Sequence, residues 1–174
     1  MKNLKRLRKL SIWKYKPKEK NLEELISLTK LEELKIIQGN LNSLKGSHAF
    51  SKLTKLEVND LRNLEYIDEV EKNSTTLKWI EFDNCSKIKN HSYVSCLREL
   101  ETLIFARCGD IQNLKFIKEI PKLKHLSFID SNIVDGDIEP CIGIDFVGFN
   151  NKRHYSYKFE ELNPELAKHL SFFK

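Results

Sequence analysis

Leu77-Lys-Trp-Ile80-Glu-Phe82-Asp-Asn-Cys85-Ser-Lys-Ile88 is followed by a second stretch of the same form, Leu100-Glu-Thr-Leu103-Ile-Phe105-Ala-Arg-Cys108-Gly-Asp-Ile111. Each reads apolar-x-x-apolar-x-apolar, with a cysteine three residues after the last apolar position and an isoleucine three residues after that. Working outward, the same core pattern occurs at Leu7/Leu10/Ile12, Leu31/Leu34/Ile36 and Leu53/Leu56/Val58 before it, at Leu123/Leu126/Phe128 after it, and more weakly at Cys141/Ile144/Phe146. Successive first positions are 24, 22, 24, 23, 23 and 18 residues apart. A fixed period in this range belongs to chains that coil once per repeat, because so short a unit can bury its apolar face only against its neighbours.

Within each copy the alternation apolar-x-apolar puts the second and third apolar residues on one face of a strand and the intervening residues on the other. The segments between copies read as short helices with apolar residues at every third position, as in Leu22/Leu25/Leu28, Leu64/Ile67/Val70, Val94/Leu97 and Leu114/Ile117/Ile120. Asn21 and Glu24 have capping-box spacing, and Asn113 can cap the return that Pro121 stops. The last return, residues 131–140, lacks such periodicity and holds Gly136 and Pro140, which predicts a tight loop and accounts for the interval of 18.

From about Leu4 to Phe149 the pattern resembles the leucine-rich-repeat family, whose form L-x-x-L-x-L-x-x-(N/C)-x-(x)-L is met most fully by the two stretches quoted above. The resemblance implies an α/β solenoid of about seven coils, with a parallel concave sheet and short convex helices. It also implies that the residue three places after each strand's last apolar position caps backbone groups as a ladder. Those residues are Gly39, Leu61, Cys85, Cys108 and Ser131, and Leu61 departs from the small polar or thiol type, which predicts a different turn in the third coil. Residues 1–174 read as a single domain, with a basic first coil over about 1–20 and a C-terminal cap over about 149–174. The cap segment supplies Phe149, Tyr155, Tyr157, Phe159, Leu162, Leu166, Leu170, Phe172 and Phe173; Asn163-Pro164 is a helix start that puts Leu166, Leu170 and Phe173 on one face.

Charge is unevenly placed. Residues 1–20 hold nine Lys or Arg and one Glu, or +8, so the total of +5 leaves −3 for the remainder. No apolar run has the length of a signal peptide or a membrane span, and Cys85, Cys96, Cys108 and Cys141 lack zinc-site spacing. These features read as a cytoplasmic chain with free thiols, no metal and no cofactor. The G-x-S-x-G, G-x-x-x-x-G-K-[ST], H-E-x-x-H and G-x-G-x-x-G motifs are all missing, which reads as a protein that is not an enzyme.

Function is expected on the outward face of the strands. The candidate partner-binding residues there are Trp13, Lys35, Ile37, Glu57, Asn59, Trp79, Glu81, Asp83, Ile104, Arg107, His125 and Asp145. Trp13 and Trp79 are the expected anchors, and Glu57, Glu81 and Asp83, clustered with Asp60, are expected to read basic residues. Against this, Trp79 can lie partly over a neighbour and Trp13 can serve an end cap. The expected role is a monomeric protein-binding module. The chain resembles compact bacterial cytoplasmic leucine-rich-repeat proteins, some of which accompany toxins as immunity proteins, and the ending Phe146-Val-Gly-Phe-Asn-Asn-Lys-Arg-His154-Tyr155-Ser-Tyr157 is similar to a terminal signature of that group, which implies neutralisation of a basic toxin as a specific case. The alternatives are a nucleic-acid or anionic-surface binder using Lys2, Lys5, Arg6, Arg8, Lys9, Lys14, Lys16, Lys18 and Lys20, and a passive scaffold or adaptor.

Overall fold

The structure is a computed structural model that describes residues 4–171. Seven strands form one parallel sheet, in which each coil adds a strand beside its predecessor: β1 (Lys9–Tyr15), β2 (Glu33–Gly39), β3 (Lys55–Asn59), β4 (Trp79–Asp83), β5 (Thr102–Ala106), β7 (His125–Ser127) and β9 (Phe146–Gly148). Two short strands, β6 (Asp110–Ile111) and β8 (Asn132–Ile133), pair in a second parallel sheet. The alternation seen in the sequence decides which side chains are inside. Leu34, Ile36, Leu56, Val58, Ile80, Phe82, Leu103, Phe105, Leu126 and Phe128 are each at most 1% exposed. From the fourth coil onward the third apolar position is aromatic, and the rings stack across coils: Phe82 on Phe105 at 5.5 Å, Phe128 on Phe149 at 5.0 Å, both within 10° of parallel.

Six coils leave their strand through a residue in the left-handed region, always at the same position: Lys14, Gln38, Asp60, Asn84, Arg107 and Asp130, with φ between 52° and 61°. This conformation costs a non-glycine residue roughly 1–2 kcal/mol, and the repeat itself enforces it. The amides of Asp60, Asn84 and Arg107 donate to the carbonyls of Asp83, Ala106 and Ile129 on the next coil at 2.9 Å. At the last such turn the Asn150 side chain accepts from the Asp130 amide instead. The different turn expected in the third coil is not found: Asp60 matches its neighbours, and buried Leu61 packs beside Gly39, where a Cβ would come within 3.1 Å of its side chain.

The capping ladder is present where its residues can donate. The Cys108 thiol reaches the carbonyls of Phe82 and Ala106 at 3.3 Å, Cys85 reaches Val58 at 3.6 Å, and the Ser131 hydroxyl donates to Phe105 at 2.6 Å while accepting from the Cys108 amide. Burial pushes the Cys108 and Cys141 thiols up to about 12 and raises Cys85 as well, so none is a thiolate at neutral pH. Cys96 is only half-buried. A disulfide-exchange reagent at pH 8 is therefore expected to titrate Cys96 in the folded protein and all four cysteines in denaturant; fast native reaction of Cys108 would contradict the ladder.

The convex returns are short helices, as expected. They are 3-10 turns, over Glu23–Leu25, Ser47–Ala49, Asp68–Asn73, His91–Cys96, Lys115–Glu119 and Glu139–Cys141. A coil of some two dozen residues must cross the convex side quickly, and 3-10 geometry rises about 2.0 Å per residue against 1.5 Å for an α-helix. Asn113 stands one residue before the N-cap, Leu114, and accepts from the Lys115 amide at 3.1 Å. Asn21 and Glu24 do not form a capping box: Asn21 accepts from the Glu23 amide, and Glu24 accepts from the Lys18 amide.

One return carries a buried histidine. His91 is 5% exposed and meets the Phe105 ring edge-on at 4.9 Å. Burial lowers its pKa from 6.5 to about 4, against a weaker opposing hydrogen bond to the Cys108 backbone. The native state thus holds the neutral imidazole, while the unfolded chain takes up a proton near 6.5. The resulting stability is complete above pH 6.5 and is lost as the pH falls to 4, by about 3 kcal/mol. Urea unfolding of the protein and of His91→Leu should show this loss as a difference in pH slope between pH 6.5 and 4; equal slopes would refute it.

The last strand corrects the sequence register. β9 pairs with β7 as His125↔Phe146, Leu126↔Val147 and Ser127↔Gly148, so the buried pair is Val147 and Phe149, not Ile144 and Phe146. Asp145, expected on the strand, precedes it, and Phe146 faces outward. Beyond β9 lie α1 (Phe159–Leu162) and α2 (Pro164–Ser171), the only α-helices among the described residues. They close the end of the sheet through Asn163, which is 6% exposed. Its side-chain oxygen accepts from the Val147 amide at 3.1 Å, and its nitrogen donates to the Val147 and Phe159 carbonyls at 2.8 and 2.9 Å. The amide thus stands in for an eighth strand. Tyr155 and Phe159 pack against Phe149 from the same segment, whereas Leu166, expected in the cap, is 40% exposed. The Leu170 side chain, Phe172 and Phe173 lie outside the described residues.

Candidate protein-docking face

Parallel register with no offset brings equivalent positions into rows across the concave sheet. The central row is Ser11, Lys35, Glu57, Glu81, Ile104, Ser127 and Gly148. To one side run Lys9, Glu33, Lys55, Trp79, Thr102, His125 and Phe146; to the other, Trp13, Ile37, Asn59, Asp83 and Ala106. Of the expected site residues, ten stand on these rows, Arg107 follows β5 at the left-handed position, and Asp145 is absent from them.

The two halves of the face differ. On the first four coils, charges meet in pairs: Lys9 with Glu33 at 2.7 Å, Glu57 with both Lys35 at 3.1 Å and Lys55 at 3.3 Å, and Asp83 with Arg107 at 2.6 Å. Two of the four carboxylates in the expected acidic cluster, Glu57 and Asp83, are therefore neutralised by their own neighbours. Asp60 accepts from Asn84 at 2.6 Å, and Glu81 accepts from Asn59 at 3.1 Å with no cation paired to it among the described residues. Trp13 is 65% exposed, with its indole N–H donating to Gln38 at 3.0 Å, so it is displayed rather than folded into an end cap. Trp79 is half-buried, with the Lys55 ammonium 4.7 Å from its ring.

On the later coils the face turns apolar. Trp79, Thr102, Ile104, His125, Ser127 and Phe146 surround an open hollow of about 340 Å³. Sequence reading missed Phe146 as a wall of this hollow. The sequence carries the signal: Ile144-x-x-Val147-x-Phe149 repeats the form of Leu100-x-x-Leu103-x-Phe105, three residues beyond the weaker triplet Cys141/Ile144/Phe146.

No known protein family and no curated protein matches the chain. Among solved structures it superposes on an internalin (inlF) from Listeria monocytogenes with a TM-score of 0.60, at 18% identity over 83% of this chain and 41% of that one. It superposes equally on the functional domain of InlJ from Listeria monocytogenes, with a TM-score of 0.59, at 22% identity over 82% of this chain and 30% of that one. The fold is a leucine-rich-repeat solenoid. The chain spans less than half the length of either structure. The InlJ domain is described as including a cysteine ladder; in this solenoid two adjacent rungs, Cys85 and Cys108, are cysteine and the next, Ser131, is serine. No helix among the described residues of the solenoid is long and apolar enough to cross a membrane, and none of them gather three or more His, Cys, Asp or Glu around a metal-sized site.

Proposed function

We propose that this solenoid is a non-enzymatic module that docks another protein on its concave sheet. The observation that supports the reading is the apolar hollow between Trp79, Ile104, His125 and Phe146, open on a sheet whose other half is built of paired charges. Displayed aromatic and aliphatic side chains ringed by polar ones are the composition of interface centres, and Trp13 and Ile129, at 65% and 43% exposed, display further apolar surface apart from the hollow, on the first and sixth coils. Immunity is the specific case carried by the terminal resemblance: a cytoplasmic monomer covering the surface of a toxin, whose basic groups would meet Glu81 and compete with Lys35 and Lys55 for Glu57. Affinity capture from cells that encode the chain tests the docking face. A protein retained by the wild type and by the convex variant Lys118→Glu, and released by Ile104→Glu and Ile37→Glu, supports it; equal retention by all four overturns it.

A second reading, an anionic surface or nucleic acid held by the first coils, is favoured by one observation. Arg6, Arg8, Lys30 and Lys52 line a hollow of about 400 Å³ with Glu32 as its sole acidic residue. Binding of single-stranded DNA that falls steeply with salt and is lost in Lys30→Glu/Lys52→Glu would support this reading over the first.

A further inference from the structure

Resting on the concave-docking reading, we propose that the hollow on the last four coils is an anchor site for one aromatic or large aliphatic side chain of a partner protein. In that partner the anchor is flanked by a lysine or arginine that pairs with Glu81.

The hollow's volume, about 340 Å³, is at the small end of ligand-sized pockets, which suits one or two side chains rather than a folded protrusion. Its walls present the Phe146 and Trp79 rings and Ile104 without a permanently charged side chain. Phe146 is fixed from behind by Phe159, whose ring meets it edge-on at 6.5 Å, so the wall is preformed. The charge requirement comes from what lies beside the hollow. On the strand that carries Trp79, Asp83 is already paired with a cation, Arg107, at 2.6 Å through Oδ2, but Glu81, directly lateral to Ile104, has among the described residues only the Asn59 amide and no cation. A partner covering Ile104 also strips water from Glu81. One that brings no cation leaves a desolvated carboxylate and is rejected, whereas one that brings a cation gains a pair in a low-dielectric setting. Glu57 cannot impose the same demand, because Lys35 and Lys55 already flank it.

The experiment pans a phage-displayed library of random twelve-residue peptides on the protein and measures the affinity of the enriched peptides for the wild type and its variants, with Trp79 emission read separately in Trp13→Phe, where Trp79 is the protein's sole tryptophan. Expected are peptides with Phe, Trp, Leu or Met within three residues of Lys or Arg, and binding that changes Trp79 emission. Ile104→Glu and, as a second variant should the first fail to fold, Ser127→Arg should each weaken binding about tenfold or more. Glu81→Gln should weaken it about three- to tenfold and remove its salt dependence. Binding that survives both hollow variants but is lost in Ile37→Glu overturns the anchor site while leaving concave docking intact. Binding indifferent to all three overturns both readings. Enriched peptides without basic residues, or insensitive to Glu81→Gln, overturn the pairing with Glu81, and peptides rich in Asp and Glu reverse the assigned partner chemistry.

Discussion

Phe105→Ala is expected to lower the unfolding free energy by roughly 3–5 kcal/mol, the largest loss of any single core truncation in the sheet. Phe105 is 1% exposed, stacks on Phe82 at 5.5 Å and receives the edge of His91 at 4.9 Å. Its carbonyl is the acceptor for the Ser131 hydroxyl, so a shift of this backbone also disturbs the ladder. Neighbouring rings cannot slide into the gap, because each is fixed by its own coil's strand register. A solenoid is coupled through nearest neighbours only, so a void in a middle coil weakens the joint between the two halves as well as the whole. The expected urea profile has a lower midpoint and a broadened transition, with earlier loss of fluorescence from one half. A midpoint shift worth under about 1 kcal/mol would show that the aromatic stack is packing ornament rather than the joint between coils.

The architecture was legible because it is written seven times over. Each interval and each apolar triplet restates the same strand, and errors at one coil are corrected by the next. Features that depend on one coil's conformation were not legible in that way. Asn84 and Asp130 belong to types that enter the left-handed region, but Lys14, Gln38 and Arg107 do not, and only the parallel ladder makes their turn equivalent. The convex turns were legible as short helices, but their 3-10 type was not, because apolar spacing of three fits both helix types over so few residues.

At the site, the rows were legible and their chemistry was not. Glu57, Glu81 and Asp83 are adjacent in the register, as the repeat requires, so the sequence suggests a negative patch. The side chains resolve it otherwise, since a parallel sheet without offset also aligns Lys35 with Glu57 and sets Arg107 over Asp83. Exposed pairs of this kind are worth about 0–1 kcal/mol each, so they add little stability, but they reduce the negative patch to Glu81 and Asp60, whose partners among the described residues are neutral amides. What remains distinctive is the apolar end of the face, and its recognition depended on the frame of one weak repeat. That frame also decides how the sheet ends.

Asn163→Ala is expected to cost roughly 2–5 kcal/mol, because it orphans both the N–H and the C=O of Val147, which is 0% exposed. An edge strand normally leaves such groups to solvent; here the cap buries them, and one side-chain amide satisfies both at 3.1 and 2.8 Å while also reaching the Phe159 carbonyl at 2.9 Å. Asn163→Asp separates the two halves of this role. It keeps the acceptor for the Val147 amide but turns a carboxylate oxygen toward two carbonyls, so at neutral pH it should be at least as damaging as alanine and should recover when the carboxyl is protonated. Hydrogen exchange localises the effect: in Asn163→Ala the amides of β9 should open well before those of β4 and β5, with the helices beyond β9 released together. Since β9 carries Phe146, the same variant should weaken any ligand of the concave hollow in proportion to the opened fraction, although Asn163 lies outside its walls. Unchanged stability in Asn163→Ala, or uniform exchange across the sheet, would mean that the last strand is held by the aromatic packing of Phe149 and Phe159 and not by the surrogate amide.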